Sequence, residues 1–331
     1  MSGNVINWAV EAISLAPASV VTIGVFDGLH LGHQWLIGKA VERAHLLGVP
    51  SACVSFYPDP ETVLRGAEPC YLMLPSERAQ LMLDMSVDLV VLTGFGARVA
   101  RMTASEFMQQ LCDSLHPREV LVGEDFALGR GREGIPEVLA VLGRRMGYDL
   151  RVIPRCRLEG RVVSSTLVRG LIQKGDVATA ARFLGRLYAV RGAVLRGHGR
   201  GRELGFPTAN VAVPAGKQLP ADGVYAAVAT VAGHRLSAAA NIGRNPTFGA
   251  APRALEAHLL DFQGDLYATE VEVGFVARLR AEVHFPSIEA LEAQMVEDVA
   301  AVRRALGGAK AAETGVPSAQ TACLQERYGA F

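Results

Sequence analysis

Apolar and polar positions along the chain change period once, near its middle. The run 20–23, Val-Val-Thr-Ile, predicts a buried strand, and further strands are expected over 51–56, 89–92, 120–123 and 150–153, separated by amphipathic segments. Strands alternating with helical patterns imply a parallel sheet joined by crossover helices. Beyond Tyr188 the period becomes two, with frequent glycine and proline, over 223–231, 235–242, 254–262 and 271–275. That pattern predicts an antiparallel sheet or small barrel. A closing helix is expected over 287–306, with Ser287 as N-cap and Glu289 and Glu292 in its early turns. The period change places a boundary at 185–191, giving domains 1–186 and 187–306. Residues 307–331, rich in Ala, Gly, Ser and Thr, predict a mobile tail.

Composition narrows the function. A chain of 331 residues is long for one core and favours two domains. Lysine plus arginine equals aspartate plus glutamate, 33 each, which removes the positive field of a general nucleic-acid binder. Cys53, Cys70, Cys112, Cys156 and Cys323 are scattered, with no C-x-x-C pair, and read as buried thiols in a reducing compartment. Glu11 interrupts the apolar stretch 8–15, and no stretch has the length of a membrane span. The expectation is a cytoplasmic protein that handles small molecules without a membrane or nucleic-acid partner.

The segment 24–33, Gly-Val-Phe-Asp-Gly-Leu-His-Leu-Gly-His, follows the first predicted strand and leads into a helix expected over 34–47. His30 and His33 therefore fall at a helix start and, three apart, share a face. Unpaired N–H groups and the helix dipole favour an anion there, so the imidazoles are placed to donate to phosphate oxygens. Adenylyl transfer needs such donors: a phosphate oxygen attacks the α-phosphorus of ATP, pyrophosphate leaves, and the protein positions the reactants and stabilises charge. A metal pair or two ordinary polar residues are the competing readings. Zinc is disfavoured, because no third His or Cys with ligand spacing lies nearby.

The segment resembles the G-x-F-D-G-x-H-x-G-H signature of the bacterial bifunctional riboflavin kinase/FMN adenylyltransferase (FAD synthetase) family. That resemblance implies a Rossmann-like α/β nucleotidyltransferase domain of the H-x-G-H type, with His30 and His33 catalytic and Gly24, Phe26, Asp27 and Gly32 at the nucleotide. Residues 122–129, V-G-E-D-F-A-L-G, resemble the family's V-G-x-D-F-x-F-G with Leu128 for the second Phe, which assigns Asp125 to nucleotide. Residues 164–169, S-S-T-L-V-R, resemble S-S-T-x-x-R, so Ser165, Thr166 and Arg169 form a second phosphate cradle; read alone, they are an N-cap and a surface arginine. Residues 129–134 spell G-x-G-x-x-G, but 124–128 separate them from the strand that a dinucleotide fingerprint would end. A flexible basic loop over a phosphate is the preferred reading.

One departure stands out. Where the family has P-H-P, this chain has Pro58-Asp59-Pro60, an anion that repels ATP phosphates unless a metal or arginine offsets it. It leaves riboflavin kinase alone, with a weakened adenylyltransferase domain, as the alternative.

Residues 197–210 resemble the riboflavin kinase element G-x-x-x-G-x-x-L-G-F-P-T-A-N. Glycines let backbone N–H groups approach phosphates, and no Walker sequence does so elsewhere. The resemblance puts Gly197, Gly205 and Pro207 at the nucleotide. Thr208 and Asn210 offer neutral oxygens to Mg²⁺ held with ATP. In 255–262, Glu256 and His258 share one strand face and Leu255, Ala257 and Leu259 the other. Glu256 matches the family's catalytic glutamate, which accepts the ribityl 5′-hydroxyl proton as that oxygen attacks the γ-phosphate. N-I-G-x-x-P-T-F-G at 241–249, L-Y-A at 266–268 where the family has L-Y-G, and Arg280-Ala281-Glu282 with Phe285 are expected on the flavin side. The resemblance spans 20–306 and implies an antiparallel β-barrel kinase domain with a C-terminal helix. Its substrates are riboflavin, FMN and ATP, and its products FMN, FAD, ADP and pyrophosphate. Intact Thr208, Asn210 and Glu256 argue against a flavin-binding regulatory protein without turnover. The sequence does not reveal an oligomeric state.

Overall fold

The computed structural model describes residues 4–11, 14–196, 205–244 and 253–307. Contacts divide the chain into two compact units, with Ser165 in the first and Thr166 in the second. In the first, strands β1 (Asn4–Trp8), β2 (Ser19–Gly24), β3 (Ser51–Tyr57), β4 (Leu89–Gly94), β5 (Pro117–Gly123) and β6 (Asp149–Ile153) form one parallel sheet in the order β1-β4-β3-β2-β5-β6. Helices α1 (Leu31–Leu47), α2 (Pro60–Arg65), α3 (Pro75–Asp84), α4 (Ala97–Arg101), α5 (Ala104–Leu115) and α6 (Pro136–Met146) accompany it. Val20, Cys53, Val90 and Leu121 pack against α1 and α3 through Ile37, Ala40 and Met82. Val21, Val54, Val91 and Val120 pack on the opposite face with α5 and α6, through Met108, Leu111 and Leu139. Burial on both faces is why these strands read as continuous apolar runs.

Strand β1 is not among the expected strands: Asn4 and Asn7 interrupt its apolar residues, and only Trp8 is buried. Helix α1 starts at Leu31, ahead of the expected 34, because His30 caps it. A short ribbon, β7 (Arg157–Leu158) with β8 (Arg161–Val162), completes the described part of the unit.

The cysteines depart from the expectation of buried thiols. Cys53 is buried, but Cys112 is only partly so, Cys70 is exposed on the loop before α3, and Cys156 is disulfide-bonded. Cys323 lies outside the described residues, as do 308–331 of the expected tail.

The second unit opens within α7 (Ser165–Lys174), whose first residue belongs to the first unit, and continues with α8 (Val177–Leu184). Strands β9 (Tyr188–Leu195), β10 (Ala209–Val211), β11 (Gly223–Val231), β12 (His234–Arg244), β13 (Arg253–Leu259) and β14 (Glu270–Arg280) close into an antiparallel barrel, ordered β10-β13-β12-β11-β14-β9. Helix α9 (Ile288–Gly307) follows, its start capped by Ser287 Oγ accepting the Ala290 N–H. Gln218 Nε2 donates to Arg169 O, Ala221 N–H to Ile172 O, and α8 packs on β9 and β14. The two helices thus join the barrel, so contacts divide the chain ahead of residue 186, where the change of period marks only the first barrel strand.

Two local features generate predictions. Glu119 on β5, 4% exposed, accepts from Arg43 of α1 and Arg151 of β6. The Arg43 hydrogen bond first, then Arg151, hold its carboxyl at about 2 against the opposing effect of burial. A carboxyl depressed in the folded state stabilises above its ordinary pKa, and the contribution disappears as pH falls toward the folded value. Glu119→Gln is expected to destabilise this unit by about 2 kcal/mol at pH 7, allowing for the half-exposed arginines. The difference, followed by urea unfolding of the full chain, should narrow between the ordinary carboxyl range and about pH 2. In the barrel, Ala268 takes a φ of 57°, where a Cβ is strained. Ala268→Gly is expected to stabilise the barrel by roughly 0.5–1 kcal/mol, read as a raised urea midpoint, after the gain in unfolded-chain entropy is counted.

Candidate active site

The loop between β2 and α1 is left-handed at Phe26 (φ 57°), Gly28 (76°) and Leu29 (37°). From it the chain enters α1 with His30 as N-cap, whose Nδ1 accepts the His33 N–H at 3.3 Å. That bond puts the neutral His30 ring's proton on Nε2. The rings of His30 and His33 stack, centroids 3.6 Å apart and planes at 18°. Gly32 makes room, since a Cβ there would lie 3.3 Å from the His30 ring. Two imidazoles are therefore fixed at the start of a 17-residue helix, at the carboxyl edge of the sheet where ligands of such folds bind.

Other residues of the segment face inward. Asp27 is 3% exposed, and its carboxylate accepts the Leu72 and Met73 N–H groups at 3.1 and 3.0 Å. Phe26 is buried in the α1 layer with its ring against Gly24, so a Cβ on Gly24 would meet it at 2.9 Å. Through these contacts Asp27 and Phe26 shape the loop. The structure brings Ser165 to this loop, its Oγ donating to Asp27 O at 2.9 Å. Thr166 and Arg169 lie on α7 in the second unit. Asp125 lies on the turn after β5 as an exposed carboxylate 3.7 Å from Arg155.

One further expectation changes. Gly129 and Gly134 are needed for packing: a Cβ on Gly129 would lie 2.5 Å from Ala104 N, and one on Gly134 2.7 Å from Ala104 Cβ. Leu128 and Gly134 exchange backbone hydrogen bonds and Arg130 N–H donates to Met102 O, so the basic loop is tied down where flexibility was expected. Asp59 caps α2, its Oδ1 accepting the Glu61 N–H at 2.9 Å. Arg78, passed over in the sequence, is buried at 1% exposure and donates to the Val25 and Phe56 carbonyls. Its only signal was a charge on the helix face that also carries Met82.

In the barrel, Asn210 of β10 pairs with Glu256 of β13, and Glu256 with Asn241 of β12. Directly opposed residues share a sheet face. A carboxylate thus stands between two amides in one row, with half-buried Thr208 just ahead of β10. His258 Nδ1 donates to Pro207 O at 2.8 Å and its ring meets Phe206, which ties the segment carrying Thr208 to the Glu256 strand. Neutral and anionic oxygens of this kind suit Mg²⁺ shared with phosphates, and no cluster of three His, Cys, Asp or Glu side chains able to hold a metal alone occurs among the described residues. Gly205 is described, on a left-handed turn. Gly197 and residues 245–249 lie outside the described residues. Arg280, expected on the flavin side, holds α9, its guanidinium 2.9 and 2.7 Å from the Asp298 carboxylate. Glu282 Oε1 occupies the space beside Gly243 where a Cβ would stand.

Comparison with known proteins follows the same division. An FAD synthetase family model matches residues 13–167 and a riboflavin kinase family model residues 184–306. A bifunctional riboflavin kinase/FMN adenylyltransferase of Pseudomonas fluorescens is 39% identical over 287 residues, 86% of this chain and 92% of its own length. The Escherichia coli K12 protein of the same name is 35% identical over 309 residues, 92% of this chain and 98% of its own. A crystal structure described as a macrolide-efflux protein of Streptococcus pneumoniae superposes with a TM-score of 0.84 at 29% identity, covering 90% of this chain and 98% of its own. No described helix of this chain is long and apolar enough to cross a membrane. By its two matched domains, in the order and nearly the full length of these relatives, the chain belongs to the bifunctional riboflavin kinase/FMN adenylyltransferase family.

Proposed function

We propose that the chain makes both flavin nucleotides, phosphorylating riboflavin to FMN with ATP and adenylating FMN to FAD with release of pyrophosphate. The observation that carries this reading is the pair of distinct phosphate-handling constellations, the stacked His30 and His33 at a helix start and the Asn210–Glu256–Asn241 row on the barrel. Residues 1–186 carry the adenylyltransferase and 187–306 the kinase. The protein is cytoplasmic.

In the kinase reaction Glu256 takes the ribityl 5′-hydroxyl proton as that oxygen bonds to the γ-phosphorus and ADP departs. Thr208 and Asn210 would hold Mg²⁺, which when bound neutralises phosphate charge. In adenylyl transfer an FMN phosphate oxygen bonds to the α-phosphorus of ATP and the pyrophosphate bond breaks. His30 and His33 donate to phosphate oxygens as charge builds, and Ser165 braces the loop that carries them. Gly24, Phe26, Asp27 and Gly32 give that loop its shape at the nucleotide, and Asp125, Thr166, Arg169, Gly197, Gly205 and Pro207 also serve nucleotide binding.

Incubation with FMN, ATP and Mg²⁺ without riboflavin should give FAD and pyrophosphate in equal amounts; FMN formed from riboflavin without any FAD would overturn the second activity. His30→Ala should cut FAD formation about a hundredfold, the scale of losing a preorganised donor, and spare FMN formation. Glu256→Gln should slow FMN formation by about a hundredfold to ten-thousandfold with an unchanged melting profile. Turnover unaffected by that substitution would remove Glu256 from its role.

A further inference from the structure

Arg78 sits on α3, 1% exposed, beside Ala79 and Met82 of the packed layer. Its Nη1 donates to Val25 O and its Nη2 to Phe56 O at 3.3 Å, while Nε is buried without a partner. A guanidinium in such a place is poor stabilising chemistry, since an apolar side chain of similar volume usually packs there at no loss. The two carbonyls explain its position better. Val25 begins the loop that leads to His30, and Phe56 precedes the loop holding Asp59; these loops leave neighbouring strands β2 and β3.

Charge points the same way. Burial lowers the Arg78 pKa, and the carboxylates of Asp27 and Asp59, with Cys53 and Tyr71, pull it back. Asp27 accepts two backbone N–H groups and Asp59 the Glu61 N–H, and Asp59 puts a negative charge on a loop flanking the one that bears the histidines. A carboxylate there repels a triphosphate, and a nearby cation weakens that repulsion.

We propose that Arg78 is a positioning residue for adenylyl transfer, clasping the start of the loop after β2 to the end of β3 through the Val25 and Phe56 carbonyls and offsetting the charge of Asp59 toward ATP. The inference rests on the adenylyltransferase reading. It separates two effects, geometry carried by the fork and charge carried by the cation, because a lysine keeps the charge without the planar fork.

The test uses the full-length protein, with FAD formation from FMN measured against ATP concentration and FMN formation from riboflavin as the control in each preparation. Arg78→Met should raise the KM for ATP about tenfold and lower kcat. Adding Asp59→Asn should return that KM to within about threefold of native while kcat stays low. Arg78→Lys should keep KM near native and lower kcat. The proposal is overturned if Arg78→Met leaves both parameters within about twofold, or if its KM is equally raised with Asp59→Asn present. Should Arg78→Met abolish the first unit's unfolding transition, Arg78→Lys decides, and native kcat in that variant refutes the clasp. Absence of FAD from the native protein would instead refute the underlying reading before any variant is made.

Discussion

The loop from Val25 to His30 cannot hold its own shape, because Phe26 and Leu29 occupy a region of backbone space that costs on the order of 1–3 kcal/mol per residue and persists only where the surroundings impose it. The surroundings do so from several directions. Leu72 and Met73 donate to the Asp27 carboxylate, Ser165 to the Asp27 carbonyl, Arg78 to the Val25 carbonyl, and the Gln34 amide to the Leu29 carbonyl. These partners come from sequence positions up to 138 residues away. What they secure is the entry into α1, where the His33 N–H pins the His30 ring and both imidazoles are set before any ligand arrives. Donors placed in advance need no reorganisation when charge develops, which is the condition for strong electrostatic catalysis.

The barrel reaches the same end by another route. Asn210, Glu256 and Asn241 stand together because three strands pair in one register, and a slip of one residue would turn Glu256 to the other face. The alternation of buried and half-buried residues along β13 resists that slip, since it would expose Leu255, Ala257 and Leu259. His258 adds a side-chain tie to Pro207 where β10 has only three residues of ladder. The first unit depends on anchors for one loop; the second depends on register.

Much of this was legible in the sequence, for physical reasons that also mark where legibility ends. The central parallel strands are buried on both faces and therefore read as apolar runs, and barrel strand β11 has the expected bounds, 223–231. Edge strand β1 and the five-residue α4 bury too little to leave a pattern. Motif residues were legible as types but not as orientations. Asp27 in a nucleotide signature suggests a ligand contact, and only the fold shows its carboxylate serving backbone 45 residues away. Arg280 likewise appears beside a flavin motif and is occupied by Asp298 on α9. The glycines of G-x-G-x-x-G reflect the proximity of Ala104, a contact from another helix that spacing cannot carry.

Asp59 shows how a local choice propagates into the site. A six-residue helix has little stability of its own, and α2 begins with an aspartate cap and a proline at its first position and ends at Gly66 in the left-handed conformation. Aspartate is among the better N-caps, so an anion unfavourable to phosphates is at the same time the group that terminates the β3 loop cleanly. The cap uses one acceptor oxygen and leaves the carboxylate its charge, which acts on Arg78. A cation held at 1% exposure and bonded to the Val25 and Phe56 carbonyls can offset that charge without entering the open space at the loops. Asp59 and Arg78 are therefore best understood together, as a cap that introduces charge and a clasp that contains it.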